Sequence, residues 1–138
     1  MNKRLSILIL VVLSISLSAC ITPDSAPVKP RYEVIDAEMA KVLFDRGALF
    51  IDLRIPAYYE QGRIPGAVNL TWGRRFNPTR LAAVADPDRE IVIYCYGINC
   101  DLSGKATESA VTWGYTEVYY FVRGFPAWTA ADYPVEES

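Results

Sequence analysis

Three apolar runs dominate the pattern of the chain: ALFIDLR at 48–54, IVIYC at 91–95 and EVYYFV at 117–122. Each is short, rich in β-branched or aromatic residues, and continuous rather than alternating. That pattern predicts strands buried on both faces of a parallel sheet. Shorter strands are expected at YEVI (32–35) and AVNL (67–70). Between them the spacing becomes helical. Asp36 suits an N-cap, Ala37, Ala40, Val42, Leu43 and Phe44 supply apolar positions, and Gly47 stops the helix. Pro56 can begin a short helix through Tyr58, Tyr59 and Glu60 that Gly62 closes. Asn77-Pro78 is a cap with a first-turn proline for a helix to about Val84. Another helix is expected from Ser103 to Trp113, closed by Gly114, and a last short one in FPAWTAA (125–131). Strands alternating with helices, without a hairpin signal, predict an α/β domain with a mostly parallel sheet.

The first thirty residues follow a different rule. Lys3 and Arg4 precede an uncharged apolar run from Leu5 to Leu17, too short for a comfortable membrane span. The run ends in Leu17-Ser18-Ala19-Cys20, which resembles a bacterial lipobox; a plain secretory signal and an N-terminal anchor helix are the alternatives. The resemblance implies a signal peptide at 1–19, cleavage before Cys20, and acyl chains (palmitate among them) on that thiol. Residues 21–30, ITPDSAPVKP, hold three prolines and read as an extended tether, leaving 31–138 as one domain. A protein so anchored is expected in the bacterial cell envelope, facing the periplasm. Ile21 after Cys20 resembles the pattern of lipoproteins sent to the outer membrane.

Charge and composition then remove several function classes. Of 138 residues, loss of the first 19 leaves 119, enough for one small domain. Those 19 carry two of the 14 basic residues and none of the 16 acidic ones, so the remainder has a net charge of −4. No basic stripe is present, which excludes nucleic acid as a partner. With no histidine and two cysteines beyond Cys20, there is no zinc pattern and no Cys-His nucleophile pair. A Gly-rich phosphate loop is also missing, and neither a metal nor a cofactor is expected.

The two remaining cysteines share one stretch, YCYGINCDLSGKA, residues 94–106. In open α/β sheets, sites form beyond the carboxyl ends of strands. Cys95 ends a predicted strand, and its loop runs into a helix N-terminus, where unpaired amides and the helix dipole favour thiolate. A small apolar residue simply ending a strand is the alternative.

FIDLR followed by AYYEQGRIPGAVNL resembles the N-terminal signature of rhodanese domains, and IVIYC, SGKATESAVTWGY, EVYYFV, RGFPAW and DYPVE resemble the remainder in order. The resemblance covers about Tyr32 to Glu136. It implies a rhodanese-like three-layer domain with a central, mostly parallel sheet flanked by helices. It also implies that Cys95 accepts sulfane sulfur as a persulfide and passes it to a thiophilic acceptor. Tyr96, Gly97, Ile98, Asn99, Asp101, Leu102 and Ser103 would form the substrate-binding loop and first helical turn. Asp52 and Arg54 match a D-x-R pair, read as mainly structural, with Arg54 a possible supporting group; Glu60 and Asn69 are read as fold-fixing.

Three departures from the family pattern stand out. Counting to Ser103 leaves a seven-residue loop, 96–102, longer than the usual one and similar to the phosphatase branch of the fold. The loop holds Cys100 and Asp101 where an arginine would grip an oxyanion, which argues against phosphatase activity and for weakened use of thiosulfate. Arg63 stands in place of the usual histidine, and Arg123 in place of the first glycine of a G-G-x-x-x-W motif. The Y-C-x-G-x-x-C pattern resembles a subgroup of the family. Cys100 is expected to be a resolving or redox partner of Cys95, a structural disulfide partner, or a free loop cysteine. Trp72 to Phe76 follows a strand and could line one side of the pocket; Arg74-Arg75 is read as part of a solvated loop, with an anion or lipid-headgroup contact as the alternative. The functions in play are a sulfurtransferase, a thiol–disulfide protein using Cys95 and Cys100, and a catalytically silent fold that binds a partner. The expected partners are a small sulfur donor or thiol acceptor, or a periplasmic protein, with the membrane reached through Cys20.

Overall fold

The computed structural model describes residues 31–138. The lipobox, Cys20 and the tether lie outside the described residues. Five strands and five helices alternate: β1 (Glu33–Ile35), α1 (Ala37–Asp45), β2 (Leu49–Asp52), α2 (Pro56–Gln61), β3 (Val68–Asn69), α3 (Pro78–Ala82), β4 (Ile91–Tyr94), α4 (Asp101–Thr112), β5 (Val118–Phe121) and α5 (Gly124–Ala130). The strands form one parallel sheet in the order β1-β5-β4-β2-β3. β4 lies at its centre, with Ile93 opposite Ile51 on one side and Tyr120 on the other.

Alternation along β4 builds both halves of the core. Ile91 and Ile93 join Ile51, Leu53, Leu81, Ala106 and Ala110 on the face covered by α3 and α4. Val92 and Tyr94 join Phe50, Phe121, Ala40, Leu43 and Trp128 on the face covered by α1 and α5. Burying each large apolar side chain contributes about 1.5–3 kcal/mol, so a strand apolar on both sides belongs at the centre. The caps follow the sequence: Asp36 accepts from the Met39 N–H at 2.9 Å and Asn77 from the Arg80 N–H at 3.0 Å. Gly47, at φ +86°, ends α1 in the left-handed region.

One charged pair is built into this core. Arg54 is 4% exposed and Asp52 fully buried. The guanidinium donates to Asp52 Oδ2 at 2.7 Å and to the Gly62 carbonyl at 2.6 Å, and lies 4.0 Å from the centre of the Phe125 ring. Burial opposes its charge, but hydrogen bonds and the charge of Asp52 outweigh it and raise the Arg54 pKa above its ordinary value. The Asn69 amide donates to the Asp52 and Arg54 carbonyls at 3.1 and 2.8 Å, locking the turn after β2 onto β3. Glu60 is exposed; its carbonyl accepts from the Ser138 N–H at 3.3 Å.

Arg63 is committed to the carboxyl-terminal segment. It pairs with Glu136, donates to Ser138 Oγ at 2.7 Å, and forms an antiparallel bridge to Glu136. Asp52→Asn is expected to destabilise the domain by about 3–5 kcal/mol, because it leaves a buried guanidinium without its counter-charge. Removing the exposed Lys41–Asp45 pair by Lys41→Gln should cost about 0.5 kcal/mol or less. Urea denaturation of the two variants beside wild type measures both.

Candidate functional site

The site begins where β4 runs out. Cys95 follows Tyr94 at the carboxyl end of the central strand and is 2% exposed. Its carbonyl turns toward the start of α5 and accepts from the Phe125 N–H at 3.1 Å. Gly124 makes that approach possible: a Cβ there would lie under 3.0 Å from the Cys95 carbonyl oxygen and 3.1 Å from Gly97 N. Gly124 also has φ +56°, a conformation disfavoured for residues with a Cβ. Gly97, at φ +134°, faces the Arg123 carbonyl in turn. The loop is thus seated on the turn between β5 and α5.

α4 begins at Asp101, with Cys100 as its N-cap residue. This corrects the expected start at Ser103. The residues between Cys95 and the helix are Tyr96–Cys100, and residues 101–102 of the expected loop form the first turn of α4. Ser103 is buried inside the first turn, its hydroxyl donating back to the Cys100 carbonyl at 3.1 Å. The small pair Ser103-Gly104 therefore belongs to the helix itself.

Within the loop, the Cys100 N–H donates to the Gly97 carbonyl at 2.9 Å, closing a tight turn. That turn brings the sulfurs together: Cys95 and Cys100 form a disulfide, with Cα atoms 6.3 Å apart, inside the usual span of such bridges. The N–H groups of Tyr96, Gly97, Ile98, Asn99, Asp101, Leu102 and Ser103 have no hydrogen-bond partner among the described residues. They are donors held ready for negative charge or solvent.

Around the loop lies an open cleft of about 880 Å³, lined by Tyr96–Leu102, Lys105, Arg123, Pro126, Ala127 and Ala130. Ile98 is 67% exposed, and Tyr96 and Leu102 also present apolar surface. The Tyr96 ring meets Tyr58 edge to face, with centroids 4.9 Å apart. Cys100 faces this cleft, whereas Cys95 does not contribute to its lining. Arg54 lies outside the lining, 6.0 Å from the Tyr96 ring. Beneath the loop, burial and the charge of Asp52 hold the Tyr94 phenol well above its usual range, so it stays neutral.

Lys105 and Arg123 were not assigned to the site from sequence, yet both line the cleft beside Asp101. Neither forms an ion pair among the described residues. Only helical phase could have pointed to Lys105, one turn past Asp101. Arg74 and Arg75 are exposed and do not line the cleft; their neighbour Trp72 stacks on Phe76, 5.9 Å between centroids.

The sequence model of the rhodanese-like domain matches residues 36–131. The chain belongs to the rhodanese-like domain family. A thiosulfate sulfurtransferase, GlpE, from Pseudomonas syringae pv. syringae is 31% identical over 105 residues, covering 76% of this chain and 93% of that protein. The crystal structure of a thiosulfate sulfurtransferase from Pseudomonas aeruginosa superposes with a TM-score of 0.66 at 26% identity, over 77% of this chain and 20% of that one. The Alr3790 protein from Anabaena sp. shares the fold, with a TM-score of 0.65 at 24% identity over 75% and 91% of the two chains. This rhodanese-like domain therefore has sulfurtransferase relatives, and its disulfide lies at the strand end where the resemblance set the reactive cysteine.

Gly124→Ala should destabilise this rhodanese-like domain by about 2–4 kcal/mol, combining left-handed strain with overlap against the Cys95 carbonyl. Gly47→Ala, at φ +86° with open space around it, should cost only about 1 kcal/mol. Thermal unfolding of the pair separates strain alone from strain plus close approach.

Proposed function

We propose that the protein is a membrane-tethered periplasmic sulfurtransferase of the Y-C-x-G-x-x-C subgroup, with Cys95 as the sulfur carrier and Cys100 as its resolving partner. The observation that carries this reading is a cysteine at the carboxyl end of the central strand, within a short loop whose amides are unpaired. Those amides and the start of α4 stabilise a thiolate, and the thiolate is the nucleophile. Once the bridge is reduced, the Cys95 thiolate attacks the outer sulfur of a sulfane donor. The donor's S–S bond breaks, its remainder leaves with the bonding pair, and Cys95 holds a persulfide. From thiosulfate the leaving group is sulfite. A thiolate acceptor then takes the terminal sulfur and returns Cys95 as thiolate. Where no acceptor arrives, Cys100 attacks the inner sulfur of the persulfide, hydrosulfide leaves, and the Cys95–Cys100 disulfide re-forms.

Tyr96, Gly97, Ile98, Asn99, Asp101, Leu102 and Ser103 supply the cradle in this scheme, and Arg54 supports it from below through the buried pair with Asp52. Lys105 and Arg123 offer the cationic charge that the loop lacks. The pre-reduced domain, incubated with thiosulfate and organic persulfides, should gain one sulfur by intact mass. Cys95→Ser should gain none, and Cys100→Ser should retain the added sulfur longer than wild type. Equal loading of wild type and Cys95→Ser overturns the reading.

The bridge itself favours a second reading, a thiol–disulfide protein using the same pair. No sulfur gain from any donor, together with reversible opening and closing of the bridge, would select it. The tether is tested separately. Full-length protein expressed in a Gram-negative host should fractionate with membranes, and Cys20→Ser should shift it out of the lipid-modified form on intact-mass analysis. An unmodified Cys20 in the wild type removes the anchor from the proposal.

A further inference from the structure

The two sulfurs of the bridge are unequally placed. Cys95 is 2% exposed, packed among core residues under α4, and absent from the cleft lining. Cys100 is partly buried but does line the cleft. An external thiolate must approach a disulfide sulfur opposite the bond it breaks, so access decides which sulfur is attacked. Of the two cysteines, only Cys100 is among the residues that line the cleft. Its charged groups are Asp101, Lys105 and Arg123, one anion against two cations, and its walls include Ile98, Leu102, Pro126 and Ala127. We infer that the bridge is opened from this cleft by an anionic thiol, which attacks Cys100 and releases Cys95 as the leaving thiolate.

The step balances as thiol–disulfide exchange. The incoming thiolate bonds to Cys100 Sγ, the Cys95–Cys100 bond breaks, and Cys95 departs with the electron pair. A second external thiolate attacks the external sulfur of the mixed disulfide. The external disulfide leaves, and Cys100 departs as thiolate and takes a proton from water. Two external thiols are oxidised, and the cysteine pair gains two electrons. The leaving sulfur belongs to the buried cysteine, whose loop carries amides without a hydrogen-bond partner among the described residues. Reduction through Cys100 thus delivers the sulfur carrier already charged, while the reductant is bound to the other cysteine. The charge of the cleft adds selectivity. Lys105 and Arg123 attract an anionic thiol over a cationic one, most strongly at low ionic strength.

The inference rests on the pair being opened before sulfur transfer, as proposed above, but its test does not use sulfur loading. Oxidised wild-type protein is mixed with 2-mercaptoethanesulfonate, quenched in acid at early times, alkylated, and mapped by tandem mass spectrometry. The expected product carries the reagent on Cys100 and the alkyl group on Cys95, in at least about tenfold excess over the reverse arrangement. Equal yields, or an excess of reagent on Cys95, overturn the inference. Separately, the opening rate per thiolate should be at least about threefold higher for 2-mercaptoethanesulfonate than for 2-mercaptoethylamine at low salt. The Lys105→Gln, Arg123→Gln double variant should erase that ratio. An unchanged ratio removes the charge selectivity. Persulfide loading of pre-reduced protein is read independently, so failure of this inference is distinguishable from failure of the sulfurtransferase reading.

Discussion

Where the Cys95 carbonyl meets the backbone of Gly124, two chain segments approach more closely than any side chain at position 124 would permit. The Phe125 N–H then completes the contact with a hydrogen bond of 3.1 Å. The geometry of the loop follows from that contact. With the strand end held against the start of α5, Gly97 turns beside the Arg123 carbonyl and Cys100 folds back within bonding reach of Cys95. α5 simultaneously supplies Pro126, Ala127 and Ala130 as one wall of the cleft. The buried Asp52–Arg54 pair fixes the end of the neighbouring strand in a similar way, holding the turn after β2 to the Gly62 carbonyl and to Asn69.

Much of this was legible in the sequence because it depends on local chemistry. Asp36 and Asn77 cap the helices they were expected to cap, since a short oxygen-bearing side chain before a helical pattern has few other uses. Runs such as IVIY became central strands because residues apolar at every position cannot border solvent. The start of α4 was misread for an equally local reason. Ser103-Gly104 looks like a helix boundary, but the serine hydroxyl returns to the Cys100 carbonyl and the preceding turn is already closed by Gly97. No local rule reveals that closure; it depends on Arg123 and Gly124, some twenty-five residues later. The same applies to Lys105 and Arg123 facing one cleft, and to Arg63 reaching the carboxyl-terminal segment instead of the loop.

The electrostatic arrangement differs from what the loop sequence suggests when read alone. Asp101 stands where a cation was missed, but at the first position of α4 a carboxylate is favourable to the helix whatever it does for a ligand. The cations are supplied from one turn further along α4 and from the turn before α5. Arg54 is committed to Asp52 and keeps its charge in the interior, so it helps hold the floor of the site rather than its mouth.

The bridge spans a sequence separation of only five residues. In the chain-entropy account so small a ring constrains the unfolded chain by roughly 2 kcal/mol, against nearly 5 kcal/mol for a ring of about a hundred residues. The five strands lie outside the ring, and within it only Cys95 belongs to the buried residues of a core cluster. Its making and breaking therefore alter the freedom of one loop and leave the architecture standing. A molecule built this way can register the reducing power of its surroundings repeatedly, as a local change of covalent state, without passing through an unfolded form each time.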